Sequence, residues 1–160
     1  MGCLQAQKFG LCYKMPVKIY VDMCADLFHA GHVAYLKQCK QFREDGMQSD
    51  ESVYLIVGIH NDKTITGYKR TPVCTMDERA EVVRACKYVD EVVLNAPLAV
   101  ASQFLKDTGI DFVIHGSEIS DADKAKMYGN ALSLGIYREV PRTPGISTTA
   151  IIDRISARGL

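Results

Sequence analysis

Apolar residues fall in short blocks separated by polar turns, and the blocks alternate between a strand period and a helix period. Val17-Lys18-Ile19-Tyr20-Val21-Asp22 is a β-branched, aromatic run of strand length. From Val33 to Phe42, Val33, Leu36 and Cys39 recur at helical spacing. After a polar turn from Glu44 to Ser52, the continuous run Val53-Tyr54-Leu55-Ile56-Val57-Gly58-Ile59 reads as a strand buried on both faces, as in a parallel sheet.

A loop through Tyr68-Lys69-Arg70-Thr71-Pro72 leads to a helix in which Thr75 is the cap, Glu78 completes a capping box, and Val82, Val83 and Cys86 face inward. Glu91 to Leu94 is the third strand. Ala99 to Thr108 is an amphipathic helix stopped by Gly109, and Asp111 to His115 is the fourth strand. Asp123 to Leu134 is helical and stopped by Gly135, Ile136 to Val140 is a short fifth strand, and Ser147 to Ala157 is a terminal helix.

Alternating strands and helices predict an α/β fold: a Rossmann-like doubly wound parallel sheet of about five strands with helices on both faces. A ligand crevice is expected beyond the carboxyl ends of the strands. Residues 1–15 lack a clear period and read as a flexible tail. The domain then runs over residues 16–160.

Charge and cysteine usage narrow the chemistry. The 19 Lys and Arg balance 19 Asp and Glu, so a broad basic surface for nucleic acid or anionic membrane is not expected, and phosphate binding should come from a local site. Cys3, Cys12, Cys24, Cys39, Cys74 and Cys86 stand singly without a CxxC pair, which favours small buried thiols over a zinc site and a cytoplasmic setting over a disulfide framework. No run approaches the roughly 20 apolar residues of a membrane span, so no stable membrane insertion is expected.

The loop after the first strand, Asp22 to His32, carries His29-Ala30-Gly31-His32 at the entrance of the first helix. Free N–H groups and the positive end of the helix dipole make that entrance a place for phosphate oxygens, and Gly31 allows close backbone approach. Two imidazoles there can donate to an oxygen that gains charge as a phosphoanhydride breaks. On spacing alone, a metal pair or ordinary capping residues remain open readings.

Arg142-Thr143-Pro144-Gly145-Ile146-Ser147-Thr148 supplies the second motif. It joins a forked cation, a turn glycine, and hydroxyl and N–H groups at another helix start. The two strings together resemble the HxGH and RTxGIST signatures of the HxGH cytidylyltransferases, a branch of the nucleotidyltransferase superfamily, and the resemblance extends from about Val17 to Ile155.

What the resemblance implies is a CTP site made by Cys24, Ala25, His29, Gly31, His32, His115, Gly116, Arg142, Thr143, Gly145, Ile146, Ser147 and Thr148. His29, His32, Lys69 and Arg142 would act on the reacting phosphates, with Lys69 reaching both the α-phosphate and the acceptor phosphate. It also implies a homodimer, and the nucleotide chemistry itself calls for Mg²⁺ with CTP, with no visible cluster of protein ligands for it. Val89-Asp90-Glu91-Val92-Val93 resembles a segment of the same enzymes. Asp90 and Glu91 are read as a helix-to-strand junction, because a phosphate nucleophile needs no general base. Two positions depart from the family pattern: Met23 replaces a usual Gly and Ala25 a usual aromatic.

The acceptor is read from the later crevice loops. Choline-phosphate enzymes carry aromatic residues where this chain has Leu98 and Ser120, and an Asp where it has Gly116. Without rings, a quaternary ammonium loses its cage. A primary ammonium needs acceptors instead, which Ser117 and Glu118 can supply. His115-Gly116 followed by an acid, and Tyr137-Arg138-Glu139, resemble the ethanolamine-phosphate enzymes. The expected acceptor site is therefore Lys69, Leu98, His115, Ser117 and Glu118, and the expected reaction is CTP and phosphoethanolamine to CDP-ethanolamine and pyrophosphate. Single-domain length fits glycerol-3-phosphate enzymes better. That acceptor, phosphocholine, ATP as donor and a non-catalytic nucleotide sensor are the alternatives.

Overall fold

The computed structural model describes residues 14–159. The expected tail lies almost wholly outside the described residues, as do Cys3 and Cys12. Five strands, β1 (Val17–Met23), β2 (Val53–Ile59), β3 (Glu91–Leu94), β4 (Phe112–Gly116) and β5 (Tyr137–Val140), form one parallel sheet in the order β3-β2-β1-β4-β5. The order reverses between β1 and β4, and a crevice opens where their connections diverge.

Helices α1 (Ala30–Lys40), α3 (Met76–Arg84), α4 (Ser102–Thr108), α5 (Asp121–Ser133) and α6 (Thr148–Ser156) accompany a one-turn α2 (Asp62–Thr66) that the sequence pattern had left inside a loop. Five residues capped by Asn61 are too few to show a helical period.

Alternation along the strands produces two cores. Ile19, Val21, Leu55, Val57 and Ile59 pack with Leu36 and Cys39 of α1 and Ala80 and Val83 of α3. On the other face Tyr20, Ile56 and Val113 meet Leu105 of α4 and Tyr128 and Ala131 of α5. Gly58 is required by close approach: a Cβ there would lie 2.2 Å from the Tyr20 hydroxyl. The capping box of Thr75 and Glu78 forms as expected. Val82 does not turn inward; it is 49% exposed, and the buried positions of α3 are instead Arg79, Ala80 and Val83.

Asp90 and Glu91 are structural, as expected. Asp90 accepts from the Leu55 N–H at 2.7 Å and from the Lys40 ammonium, tying α1 to the start of β3.

Candidate active site

A cavity of about 980 Å³ opens at the carboxyl ends of β1 and β4. That volume is at the upper end for small-molecule sites. Its walls come from the loops that follow the five strands, with Leu98 on the one after β3.

The loop after β1 builds one end of the cavity. His29 is the N-cap of α1 and His32 its third residue, and together they form a capping box in which imidazoles replace the usual hydroxyl and carboxylate. The Gly31 N–H donates to His29 Nδ1 at 3.0 Å, and the His29 N–H donates to His32 Nδ1 at 3.2 Å. Both Nδ1 atoms are therefore acceptors, so in each neutral ring the proton sits on Nε2. The two rings stack with centroids 3.9 Å apart and both line the cavity.

Burial, then the neighbouring His29, pushes the His32 pKa down to about 4, and burial with the charge of Arg142 lowers that of His29. Both rings enter as neutral donors. Such rings can meet an anion with directed N–H groups, without fixed positive charge.

Gly31 lines the cavity, and its missing side chain has a further consequence inside the loop. A Cβ at this position would lie 2.8 Å from His29 Cε1 and 3.0 Å from Ile146 Cγ2, so the absent side chain makes room for the imidazole. The unusual backbone lies further back in the loop. Ala25 and Leu27 adopt left-handed φ values of 58° and 46°, which cost non-glycine residues about 1–2 kcal/mol each. Met23 has no such φ, so the replacement of a usual Gly there imposes no backbone strain of this kind.

Buried polar contacts hold the strained loop. The Asp26 carboxylate accepts the Val73 and Cys74 N–H groups at 3.0 Å, and the Thr148 hydroxyl donates to the Asp26 carbonyl at 3.0 Å. Arg79, 1% exposed, donates to the carbonyls of Cys24, of Cys74 at 3.1 Å and of His60 at 2.8 Å, and pairs with Asp62 at 2.6 Å. One guanidinium thus joins the loops after β1 and β2. Between those anchors the exposed segment carrying Lys69 and Arg70 reaches the cavity mouth.

The RTxGIST segment supplies the opposite wall, but its residues divide the work differently than expected. Ser147 caps α6 by accepting the Ala150 N–H at 3.0 Å, and the Thr148 hydroxyl is committed to Asp26. What they leave for an anion is the free N–H groups at the start of α6, beside Thr143 and Ile146. Gly145 does not line the cavity; its φ of 87° shapes the turn before α6. Arg142 does line it, and its guanidinium is paired with Glu118.

The structure gathers Cys24, Ala25, His29, Gly31, His32, Lys69, Leu98, His115, Gly116, Glu118, Arg142, Thr143, Ile146, Ser147 and Thr148 around this one cavity. Ser117 is not among the lining residues; it is exposed and its N–H donates to the Val140 carbonyl, continuing the β4–β5 ladder. Ser120 lines the cavity and caps α5 through the Asp123 N–H at 3.1 Å. Leu98, Gly116 and Ser120, the three positions that lack the expected rings and acid, face one shared space.

Asp22 and His60 complete the floor, and the buried Tyr128 supports Asp22 from behind. Asp22 ends β1 and is 5% exposed. Its Oδ1 accepts the Tyr128 hydroxyl at 2.6 Å and lies 3.7 Å from His60 Nε2, whereas its buried Oδ2 has no partner. Burial and the Asp22 charge hold the Tyr128 phenol far above its ordinary range. The side chain projects from a kink in α5, where Tyr128 itself leaves helical φ and ψ. A sequence signal existed for two of the three: Asp22 and His60, like His115, are the first polar residues after an apolar parallel strand. Tyr128 carries none, because its helical position looks like core.

Among the described residues no group of three or more His, Cys, Asp or Glu is placed to hold a metal ion, and no helix is long and apolar enough to cross a membrane.

Comparison with known proteins accords with this geometry. A solved lipopolysaccharide core biosynthesis protein from Thermoplasma volcanium superposes with a TM-score of 0.61 at 19% identity, over 79% of this chain and 98% of that one, which establishes the shared fold. A probable ethanolamine-phosphate cytidylyltransferase of Encephalitozoon cuniculi is 40% identical over 86% of this chain and 40% of its own length. The ethanolamine-phosphate cytidylyltransferase of Dictyostelium discoideum is 37% identical over 89% of this chain and 37% of its own. Human choline-phosphate cytidylyltransferase A is 39% identical over 91% and 38%. The chain thus spans about two fifths of the length of these curated relatives. The model of the cytidylyltransferase-like family matches residues 20–154, most of the chain and every loop that lines the cavity. This chain belongs to the cytidylyltransferase-like family.

Proposed function

We propose that the chain transfers a cytidylyl group from CTP to phosphoethanolamine, releasing pyrophosphate and forming CDP-ethanolamine. One observation carries the choice of acceptor: Asp22 lines the cavity with a buried carboxylate oxygen, Oδ2, that has no donor, and Leu98, Gly116 and Ser120 on the same cavity offer no aromatic ring. A buried carboxylate oxygen without a donor is costly, and an N–H of a primary ammonium would satisfy it. A quaternary ammonium has no N–H to give and gains chiefly from ring faces. Glycerol 3-phosphate carries no cation. Relatives named for ethanolamine phosphate and for choline phosphate match with nearly equal identity, so the cavity discriminates better than overall similarity.

In this reading an oxygen of the acceptor phosphate attacks the α-phosphorus of CTP in line, and the bond from that phosphorus to the β-bridging oxygen breaks. Lys69 draws together two anions that otherwise repel. The Nε2–H groups of His29 and His32 stabilise the charge that develops on the leaving pyrophosphate. Arg142 leaves Glu118 for the triphosphate, whose oxygens also meet the free N–H groups of α6. Cys24, Ala25, His115, Gly116 and Ile146 surround the nucleoside. Mg²⁺ enters with CTP as part of the substrate and neutralises phosphate charge there. A homodimer through the HxGH region and a cytoplasmic location belong to the same reading.

The test is a product assay in which CTP is incubated separately with phosphoethanolamine, phosphocholine and glycerol 3-phosphate. The expected ranking of kcat/KM puts phosphoethanolamine at least about 100-fold ahead of the others, and Asp22→Asn removes most of that preference. Phosphocholine turned over as well as phosphoethanolamine would contradict the role given to Asp22.

A further inference from the structure

We propose that His60 is a positioning residue for the acceptor: Tyr128 occupies Asp22 Oδ1, His60 stands beside the same carboxylate, and its protonation competes with the incoming ammonium for it. This rests on the acceptor reading above and extends it to a residue that does not touch substrate in that scheme.

The geometry is a closed chain of buried groups. His60 is 2% exposed and its Nδ1 lies 2.9 Å from the Ala96 carbonyl, which can only accept. The Nδ1 proton is thereby fixed, and the neutral ring turns a lone pair on Nε2 toward Asp22 Oδ1, 3.7 Å away. Two acceptors then face each other in a buried site. Protonation of Nε2 converts that repulsion into an ion pair.

The groups around His60 come from every element packed on it. Asp22 stands on β1, and Tyr128 reaches the same carboxylate from α5. Arg79 of α3 donates to the His60 carbonyl, with Asp62 of α2 neutralising its guanidinium. Lys69, on the loop after α2, is a nearby cation opposing the proton. Burial also opposes it, while the hydrogen bond and charge of Asp22 favour it, and the balance places the imidazole above its ordinary value.

An ammonium on Oδ2 brings a second cation to a carboxylate already facing His60. Two positive charges roughly 6 Å apart, at an effective dielectric near 20, repel by an amount that corresponds to at least a tenfold effect after screening. Binding of the acceptor therefore expels the His60 proton, and a protonated His60 weakens binding by the same factor. A carboxylate with a neutral neighbour in place of His60 would bind the acceptor with no such dependence.

The test follows the four imidazole Cε1–H signals of the full chain by NMR from pH 5.5 to 9, with and without phosphoethanolamine, in the presence of a CTP analogue that resists cleavage between its α and β phosphorus atoms. The His60 signal should titrate above the usual histidine value in the absence of phosphoethanolamine and about one unit lower when the acceptor is bound. Calorimetry should find phosphoethanolamine binding tightened about tenfold by that deprotonation, beyond the change shown by glycerol 3-phosphate, which reports phosphate titration alone. His60→Gln, whose amide still donates toward Asp22 without titrating, should remove the extra tenfold.

Acceptor binding that leaves the His60 titration unmoved overturns the proposal, as does a His60→Gln protein that keeps the full pH dependence. Absence of phosphoethanolamine binding at every pH overturns the acceptor reading and this one with it. The NMR arm uses the wild-type chain, so a poorly folded variant does not decide the matter.

Discussion

Gly31→Ala separates the chemistry of the histidine pair from simple helix stability. Gly31 has a negative φ in the first turn of α1, so Ala is permitted there and can gain up to about 1 kcal/mol of helix propensity. Against this, the new methyl would lie 2.8 Å from His29 Cε1, 3.0 Å from His29 Nδ1 and 3.0 Å from Ile146 Cγ2. Such contacts are tighter than carbon atoms tolerate, and overpacking of this kind costs about 1–3 kcal/mol. The imidazole is the mobile partner, so it should swing away, abandoning its cap to the Gly31 N–H at a further cost of roughly 0.5–2 kcal/mol.

The net loss in stability is then about 1–3 kcal/mol, or a Tm lowered by several degrees for a domain of this size. Activity should fall much more, because loss of one aligned donor to a developing oxyanion costs about 100- to 1000-fold in kcat. Scanning calorimetry and pyrophosphate release at saturating substrates measure the two effects separately. A variant that keeps kcat within threefold of wild type would refute the claim that Gly31 exists to seat the His29 ring.

Arg79→Met should be among the more destabilising single changes, by about 3–5 kcal/mol in urea denaturation, because it strands three carbonyls and the Asp62 carboxylate that one guanidinium now satisfies. Glu118→Ala should leave Tm almost unchanged, since its pair with Arg142 is more than half exposed, and it should lower the KM for CTP by freeing that arginine; Arg142→Ala should raise the same KM at least tenfold. His32, whose pKa is pushed down to about 4, is protonated more readily unfolded than folded, so its contribution favours the folded state above pH 6.5 and is lost as pH falls toward 4; His32→Gln should flatten the decline in urea stability between pH 6.5 and 5 by about 1–2 kcal/mol. His60 has the opposite sign: its raised value stabilises the fold below about pH 6.5 and that contribution fades as pH rises through the folded value.

Most of the frame was legible because parallel strands and their helices are written in local patterns. Val53 to Ile59 and Glu91 to Leu94 form strands at the expected bounds, Thr75 and Ser147 cap helices with their side chains, and Gly109 ends one in the left-handed conformation. The cavity residues were legible where a motif followed a strand, as with His29, His32, His115 and Arg142. What could not be read was the division of labour inside those motifs. Whether Ser147 offers its hydroxyl to a phosphate or to the Ala150 N–H depends on how α6 starts, and whether Gly31 faces a ligand or the His29 ring depends on a rotamer.

Contacts far apart in sequence were also hidden. The bond from Tyr128 to Asp22 spans 106 residues, and nothing near Tyr128 marks it as anything but core. Arg79 sits within an ordinary charged helix start, where a solvated side chain is the default, yet three carbonyls turn it inward.

The most direct measurement is mass-spectrometric detection of the product when the purified chain is given CTP and phosphoethanolamine, beside a parallel reaction with ATP and a His32→Ala control. CDP-ethanolamine formed in stoichiometric balance with pyrophosphate, little product from ATP, and a rate lowered at least about 100-fold in the control are the predicted results. ATP used in preference to CTP, or an undiminished rate from His32→Ala, would contradict the account.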